Sequence, residues 1–275
     1  MPTQLPPTDP KAQSQMRNSI LRHLPPASYD CLRPHLKLVT LKRRQILQEP
    51  NRPMDALYFI ESGLVSLLSR TRADGPVQVA VVGRYGFIGV PIVLGSRQSP
   101  LRAIVEVPGT ALRIGAVELQ AAMDDSALRQ HVMNYVHARL IQHTQAILCN
   151  ARHSVEERLA RCLLLAHDRI DGDALPITHD ALSVMLGVRR AGITDALAAL
   201  EQDGTLQRKR GQVMIQDRRR LEQRSCECYG IIAHEYHRLL GSSEAALPEH
   251  IESAPVVNGS MSKADHTEFP TERSQ

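Results

Sequence analysis

Residues 176–201 constrain the fold of this chain most strongly, because they read as two short helices joined by a tight turn. Thr178 precedes an apolar run at helical spacing, so it is a good N-cap whose hydroxyl can accept a hydrogen bond from a backbone N–H. Gly187 can adopt the positive φ that ends one helix and begins the turn. The predicted buried faces contain Leu182, Met185 and Leu186 in the first helix and Ile193, Leu197 and Leu200 in the second.

The start of the second helix leaves Arg189, Arg190 and Thr194 exposed. This arrangement is typical of a helix-turn-helix, whose second helix enters the DNA major groove with its N-terminus first. A helical hairpin without any DNA-binding role shows the same helix–glycine–helix pattern, so the motif alone is not decisive.

A predicted β-hairpin follows the second helix. The turn signal Asp203-Gly204 precedes residues 207–215, which place Arg208, Lys209 and Arg210 at the tip of the hairpin. A two-stranded wing beside a recognition helix meets the DNA phosphates, a contact that needs Lys or Arg. A capped helix, an arginine pair and a basic wing in this order favour duplex DNA over an ordinary helical hairpin with a solvated basic loop.

The composition agrees with a local nucleic-acid surface. The formal net charge is only +4, so any basic surface must be confined to clusters. With no Trp and three Phe, the chain lacks aromatic platforms for single-stranded bases. No apolar run is long enough to span a membrane, and the polar N-terminus does not resemble a signal peptide, so a cytoplasmic protein is expected. The five cysteines, an odd number, argue against structural disulfides.

The chain divides into five predicted units: a disordered lead (1–16), a β-domain (17–125), a connecting helix (126–150), a C-terminal domain (151–240) and a disordered tail (241–275). Turn signals at 61–63, 73–76 and 108–109 separate short strands in the β-domain. They predict hairpins, one of them pairing 56–60 with 64–68, in a sandwich or a small barrel such as a jelly roll.

Residues 126–150 contain no Gly or Pro and predict one long helix. Its apolar positions form a single stripe, which consists of Leu128, Val132, Val136, Leu140, His143 and Ile147. Such a stripe must be buried, either on its own domain or against the same helix of a second copy. A helix between two domains favours the dimer seam.

The C-terminal domain is expected to begin at a capping box formed by Ser154 and Glu157. A further helical stretch, 217–240, is expected to end the ordered part of the chain. Cys226, Cys228, His234 and His237 in this stretch have a spacing that resembles a zinc site. On one helix Cys226 and Cys228 point to different sides, so binding by all four needs the helix to begin after Cys228. Redox pairing of the two cysteines and simple packing of the helix are the alternatives, and no metal is assigned.

A β-domain, a long helix and a C-terminal winged helix-turn-helix in this order resemble the Crp/Fnr family of bacterial transcription regulators. Residues 57–63 look like the "LYxIxxG" motif of that family. Residues 83–89 are similar to its "GxxFG" motif, which leads into the nucleotide-binding cassette. The resemblance implies an α+β multidomain fold with a cyclic-nucleotide-binding-type jelly roll, a dimerisation helix and a winged helix-turn-helix. It also implies a homodimer that binds a pseudo-palindromic double-stranded DNA operator and contacts RNA polymerase.

The resemblance assigns roles to individual residues. Thr178 matches the residue that docks the first helix on a phosphate, and Arg210 matches the phosphate contact of the wing. Arg190 matches the arginine that reads guanine, and bidentate arginine to guanine is the commonest base-specific contact. The chain departs from the family at two positions. Ala191 replaces a base-reading glutamate, and Asp195 replaces a second arginine, where it could accept from cytosine or orient Arg189 or Arg190.

The β-domain matches only part of a cyclic-nucleotide site. Gly89 is followed by Val90-Pro91, so the carboxylate that would bind the ribose is missing, whereas Arg102 keeps the place of the phosphate-binding arginine. A site without its hydrogen-bond acceptor loses most of its affinity. Gly89 and Arg102 remain candidate effector residues, with a domain-internal ion pair as the other interpretation of Arg102, and the effector is unidentified.

No cofactor is expected. The β-domain and its lead contain one cysteine, Cys31, which is too few for an iron–sulfur cluster, and residues 36–130 contain no histidine for haem or for a cupin metal. No nucleophile-and-base set supports an enzyme. The alternative function is a cyclic-nucleotide-binding module that regulates a partner protein instead of DNA.

Overall fold

The computed structural model describes residues 13–70 and 75–241. The disorder predicted for 1–12 and 242–275, and residues 73 and 74 of the turn predicted at 73–76, lie outside the described residues. The disorder prediction is wrong for residues 13–16. The side-chain amide of Gln13 donates to the carbonyls of Leu21 (3.1 Å) and Leu24 (2.9 Å), and Met16 is buried. Burial of the Met16 side chain in the core orders this end of the lead.

The N-terminal β-domain is one antiparallel sheet with short helices around it. The strands are β1 (Lys37–Leu41), β2 (Ile46–Gln48), β3 (Ala56–Arg70), β4 (Pro76–Val82), β5 (Phe87–Ile88) and β6 (Arg102–Gly115). The helices are α1 (Ser19–Arg22), α2 (Pro26–Leu32), α3 (Val90–Val93) and α4 (Ala116–Ala122), with a 3-10 turn at Arg33–His35. The strand order is β1-β6-β3-β4, and β2 pairs with β6 while β5 pairs with β3.

Strands β3 and β6 are continuous, so the predicted hairpin over 56–68 and the break at 108–109 are wrong. The two strands pair from Ala56↔Gly115 to Leu68↔Arg102, with register shifts between Ile60 and Val65. Gly63 has φ 87°, and a Cβ added to Gly109 would lie 2.1 Å from the carbonyl oxygen of Ser62. The glycines therefore form bulges that bend two paired strands, where the sequence suggested turns.

Glu61 shows why this segment remains a strand. Its carboxylate is buried and accepts hydrogen bonds from the backbone N–H groups of Arg17 and Asn18, at 3.0 Å each. Burial raises the pKa of Glu61 although these two N–H groups act to lower it. A polar residue that looked like part of an exposed turn instead docks the N-terminal segment on the sheet.

The connecting helix is α5 (Ser126–Arg152), which is 27 residues long. Its N-cap is Asp125, whose carboxylate accepts from the Leu128 backbone N–H at 2.8 Å, and this hydrogen bond lowers the pKa of Asp125. The helix contacts the β-domain and also the last helix of the chain.

The C-terminal domain contains α6 (Val155–His167), β7 (Ala174–Leu175), α7 (His179–Leu186), α8 (Arg190–Gln202), β8 (Leu206–Lys209), β9 (Gln212–Ile215), α9 (Arg218–Arg224) and α10 (Cys228–Leu240). The predicted capping box of Ser154 and Glu157 begins α6. The single final helix predicted over 217–240 is wrong, because residues 225–227 divide it into α9 and α10. The Tyr236 hydroxyl on α10 donates to Gln142 on α5 at 2.7 Å, so the last helix lies along the connecting helix.

The α+β two-domain organisation predicted from the sequence is confirmed. Among the described residues, no helix is both long enough and apolar enough to cross a membrane.

Candidate DNA-binding surface and effector cavity

The second helix of the predicted helix-turn-helix, α8, exposes its N-terminus. Arg189 is its N-cap, in an extended conformation with φ −66° and ψ 147°, and Arg190 is its first residue. Both are exposed. Ile193, Leu197 and Leu200 are fully buried, as the spacing predicts, and burial of each stabilises the fold by about 1.5–3 kcal/mol. This packing on α6 and α7 leaves the arginine end of the helix in solvent.

The first helix and the turn also follow the sequence prediction. The Thr178 hydroxyl oxygen accepts from the Ala181 backbone N–H at 3.1 Å, so Thr178 is the N-cap of α7. Gly187 ends the helix with φ 63°. Arg158 on α6 donates to the carbonyl of Leu186 at 2.5 Å and so satisfies a carbonyl in the last turn of α7. Arg158 therefore fastens the end of α7, where the turn begins, to α6.

Among the described residues, the ion pair of Arg190 is with Asp180 and not with Asp195. The guanidinium and the Asp180 carboxylate are 3.3 Å apart, and their side chains are 67% and 72% exposed. An exposed pair of this kind contributes at most about 1 kcal/mol, so it can open when a stronger acceptor arrives. Thr194 is half-buried, and its hydroxyl donates to the carbonyl of Arg190 at 3.1 Å.

The predicted wing is present, but its three basic residues lie in different environments. Strands β8 and β9 pair antiparallel, and Lys209 and Arg210 are exposed at the turn. Arg208 is instead bound to Glu201 of α8: its backbone N–H donates at 2.7 Å and its guanidinium at 2.6 Å. These contacts hold the pKa of Glu201 below its ordinary value. Arg208 thus ties the wing to α8 in this arrangement, and a DNA contact by this residue stays a prediction.

Thr178 lies at the junction of the two domains. With Met185 it lines a cavity of about 570 Å³ whose other wall is formed by the β-domain, including Ser66, Gln78 and Glu106. Helix α7 also contacts β4. Thr178 thus faces the β-domain in this arrangement, which differs from the open position beside Arg190 that a phosphate contact implies.

A second cavity, of about 190 Å³, lies between the β-domain and α5. Gly89, a candidate effector residue, is one of its lining residues. Its φ is 125°, and a Cβ added to it would lie 3.1 Å from Leu57, so this position suits only glycine. The remaining walls are mostly apolar, from α3, Leu101 and α5. No Asp or Glu is among the described residues that line it, which agrees with the missing ribose carboxylate.

Arg139 is the charged group among the described residues that line this cavity. It is buried, donates to the Tyr135 hydroxyl and to His143 Nε2 at 3.2 Å each, and leaves its Nε–H without a partner. Burial, reinforced by Arg139, lowers the pKa of His143 to about 4, so His143 is neutral at pH 7 and can accept from the guanidinium. The cavity can therefore hold a small apolar molecule with an anionic group that pairs with Arg139.

Arg102 does not line this cavity. Its guanidinium pairs with Glu49 at 3.0 Å, with both side chains nearly half exposed. This is the domain-internal ion pair that the sequence offered as the other interpretation of Arg102, and an effector role for this residue stays a prediction. The sequence alone does not reveal the role of Arg139, because nothing in its local pattern distinguishes it from a solvated arginine on α5.

The predicted dimer seam divides into two parts. Leu128, Val132 and Val136 are buried within one copy of the chain, so their assignment to a dimer seam is wrong. His143 is half-buried beside Arg139. Leu140 and Ile147 remain 60% and 72% exposed, and Met133 and Leu148 are exposed as well. The sequence shows one stripe because side chains covered by the β-domain and side chains exposed to solvent have the same helical spacing.

The structure separates the four residues whose spacing resembles a zinc site. His234 lies on the exposed side of α10, and the side chains that converge on Cys226 and Cys228 are Cys149 and His153 at the end of α5. No local sequence signal could have found this set, because Cys149 is 77 residues away from Cys226.

Two family models match the chain. The model described as a cyclic nucleotide-binding domain matches residues 38–126, and the model described as a Crp-like helix-turn-helix domain matches residues 157–224. Among curated proteins, a CRP-like cAMP-activated global transcriptional regulator of Mycobacterium tuberculosis is 24% identical over 218 residues, which cover 76% of this chain and 97% of the relative.

Solved structures with a similar fold include the following two. FixK2 from Bradyrhizobium japonicum gives a TM-score of 0.61 at 17% identity and covers 70% of this chain and 98% of its own. The c-di-GMP responsive global regulator CLP from Xanthomonas campestris gives 0.55 at 18% identity, covering 69% and 98%. At these identities the structures establish the shared fold.

Proposed function

The chain belongs to the Crp/Fnr family of transcription regulators, which bind DNA and are not enzymes, and from this premise we propose that it binds a pseudo-palindromic operator as a homodimer. The observation that carries the proposal is the exposed N-terminus of α8, with Arg189 and Arg190 beside a basic wing. Contact with RNA polymerase is proposed from the family resemblance alone. The proposed place of action is the cytoplasm, where chromosomal DNA is available.

The proposed contacts follow from exposure and chemistry. Arg190 leaves Asp180 and donates to the O6 and N7 of a guanine, while Arg189 and Thr194 lie beside neighbouring base edges. Lys209 and Arg210 hold phosphates and carry no sequence information. Thr178 supplies a further phosphate contact once α7 separates from β4. DNA binding would then depend on the arrangement of the two domains at their junction.

Selection of bound duplexes from a random pool tests the operator proposal. We expect a two-fold-related motif, because a symmetric dimer presents two copies of α8. Half-sites should be centred about 34 Å apart or a multiple of this distance, the separation of successive major grooves on one face of DNA. Enrichment of no motif, or of a single unrepeated half-site, would contradict the proposal.

The proposed dimer uses the part of α5 that remains open. Met133, Leu140 and Ile147 recur every seven residues, so they form one seam along the exposed face of the helix. Leu140 also lines the cavity that contains Arg139. A ligand in this cavity would touch the helix that carries the seam, and an effector with different affinity for two arrangements of α5 would shift the population between them.

The double substitution Leu140→Asp and Ile147→Asp is expected to convert the dimer to a monomer. Two carboxylates on each helix would have to be desolvated and would face like charges across the seam, whereas both positions are solvated in a single copy. Sedimentation velocity at micromolar concentration measures the change, and circular dichroism should show an unchanged helix content.

Val117→Asp is the matched control, because Val117 is an equally exposed apolar residue (68%) on α4, away from the seam. This variant should remain a dimer. A double variant that sediments like the wild type would place the dimer contact elsewhere.

A cyclic-nucleotide-binding module acting on a partner protein is the alternative interpretation of the sequence, and neither the matched domains nor the relatives favour it. The cavity lacks the carboxylate that binds ribose, and Arg139 suits an anionic apolar effector. Calorimetric titration with cyclic nucleotides, together with mobility shifts on DNA at several salt concentrations, separates the two functions. Tight nucleotide binding without any DNA binding would favour the alternative.

A further inference from the structure

Four potential metal ligands meet where the connecting helix ends. Cys149 lies in the last turn of α5, and His153 is its C-cap. Cys226 precedes α10 and Cys228 is its first residue. One ligand atom from each of the four lies within 4.8 Å of the other three. The three cysteines are buried and His153 is only 14% exposed, so this is a closed cluster in the interior.

Two of the ligand–ligand distances match the edge of a single tetrahedral site. The Sγ atoms of Cys149 and Cys226 are 3.5 Å apart, and Cys228 Sγ lies 3.7 Å from His153 Nδ1. A tetrahedron with metal–sulfur bonds of about 2.3 Å has edges of about 3.7 Å. An iron–sulfur cluster, which is several atoms across, would hold its ligands further apart.

The backbone explains why the four side chains converge. Cys149 and His153 are one helical turn apart and therefore share a face of α5. The break between α9 and α10 frees Cys226 from the helix, so Cys226 and Cys228 can turn to the same side. The sequence alone could not place this break.

The surroundings of the cluster resemble those of a metal-binding histidine. His153 uses Nδ1 toward Cys228, and its Nε2 lies 3.5 Å from a carboxylate oxygen of Glu227. A carboxylate that accepts from the second ring nitrogen orients a ligating imidazole and raises its basicity. Arg161 is buried next to Cys149, so its positive charge lies beside the cluster. Three thiolates and one divalent ion carry a net charge of −1, which this guanidinium balances.

We propose that Cys149, His153, Cys226 and Cys228 bind one zinc ion. Soft sulfur and nitrogen ligands in a tetrahedral arrangement favour zinc, and four protein ligands leave no open position, so the site is structural rather than catalytic. Binding releases the thiol protons to solvent, because the thiolates and the neutral imidazole are the ligands.

The ion would join the two domains at their hinge. His153 has an extended backbone, and Ser154 begins α6 immediately after it. Zinc on Cys149 and His153 fixes this hinge, and zinc on Cys226 and Cys228 fastens it to α9 and α10 of the C-terminal domain. The direction of the DNA-binding helix relative to α5 would then depend on the metal.

The test uses the full chain, purified under reducing conditions and dialysed against metal-free buffer. Elemental analysis should find one zinc per chain. After zinc is removed, titration with Co²⁺ should give one equivalent with the visible absorption of a tetrahedral site and the near-ultraviolet bands of thiolate ligands. An octahedral spectrum, or no bound metal while all thiols are reduced, would overturn the proposal. A second preparation, isolated without reductant, gives a further outcome. If it contains a Cys149–Cys226 disulfide and binds no metal after the disulfide is reduced, the proposal is also overturned.

Variants locate the site. Cys226→Ser and Cys228→Ser should each lower zinc affinity at least 100-fold, whereas Cys31→Ser and Cys162→Ala, outside the cluster, should retain one equivalent. Glu227→Gln should keep the stoichiometry and lower affinity by about 10- to 100-fold, the effect of losing an outer hydrogen-bond partner. Equal loss in the Cys31 variant would contradict the assignment. If a cluster variant fails to fold, the Co²⁺ spectrum of the wild type still decides the question.

Discussion

Arg190→Ala is expected to weaken binding of the selected operator by about 5- to 150-fold, which corresponds to about 1–3 kcal/mol. The physical reason is the loss of a bidentate contact from the exposed start of α8 to a guanine, with no compensation from the weak pair that Arg190 forms with Asp180. Specificity should relax at one base position in each half-site. Competition titrations with all four bases at that position measure both effects.

Two variants separate reading of a base from attraction to phosphate. Lys209→Ala, at the tip of the wing, should weaken binding to all sequences about equally and lower the salt dependence by about one phosphate contact. Arg52→Ala, an exposed arginine on the β-domain, should leave binding unchanged. Uniform weakening by Arg190→Ala on every sequence would show that Arg190 is a phosphate contact.

Tyr135→Ala is expected to lower the free energy of unfolding by about 3–5 kcal/mol, the range for truncation of a large buried ring. Tyr135 is fully buried on α5, and its ring contacts Phe87 of β5, with centroids 4.5 Å apart, and Tyr236 of α10 at 6.4 Å. Its hydroxyl donates to the Phe87 carbonyl and accepts from Arg139. Truncation therefore leaves a cavity at the meeting point of three elements. Urea unfolding followed by circular dichroism gives the change.

Tyr135→Phe is the matched control, because it keeps the ring and removes only the hydroxyl. Its cost should be about 1–3 kcal/mol, since the Phe87 carbonyl and Arg139 each lose a buried hydrogen-bond partner. Equal costs for the two variants would mean that hydrogen bonding, and not ring packing, joins α5 to its neighbours.

The candidate DNA-binding surface was predictable because its signals are local. Thr178 and Gly187 act through hydrogen bonds and φ angles of their own segment, and the spacing of Ile193, Leu197 and Leu200 fixes which side of α8 faces inward. The same logic failed at Glu61-Ser62-Gly63, where turn-forming residues build a bulge between two long paired strands. The composition of a bulge and of a turn is the same, and only the partner strand distinguishes them.

Local sequence by itself determined the order of the domains, the two helices of the DNA-binding motif, the wing and the exposed arginine pair. Tertiary structure alone decided which partners distant side chains meet. It buried Leu128, Val132 and Val136 within one copy of the chain, paired Arg208 with Glu201, and placed Arg139 in a cavity. It also brought Cys149 to Cys226 across 77 residues. Periodicity and capping act over one helical turn, whereas burial and coordination depend on the packing of the whole chain.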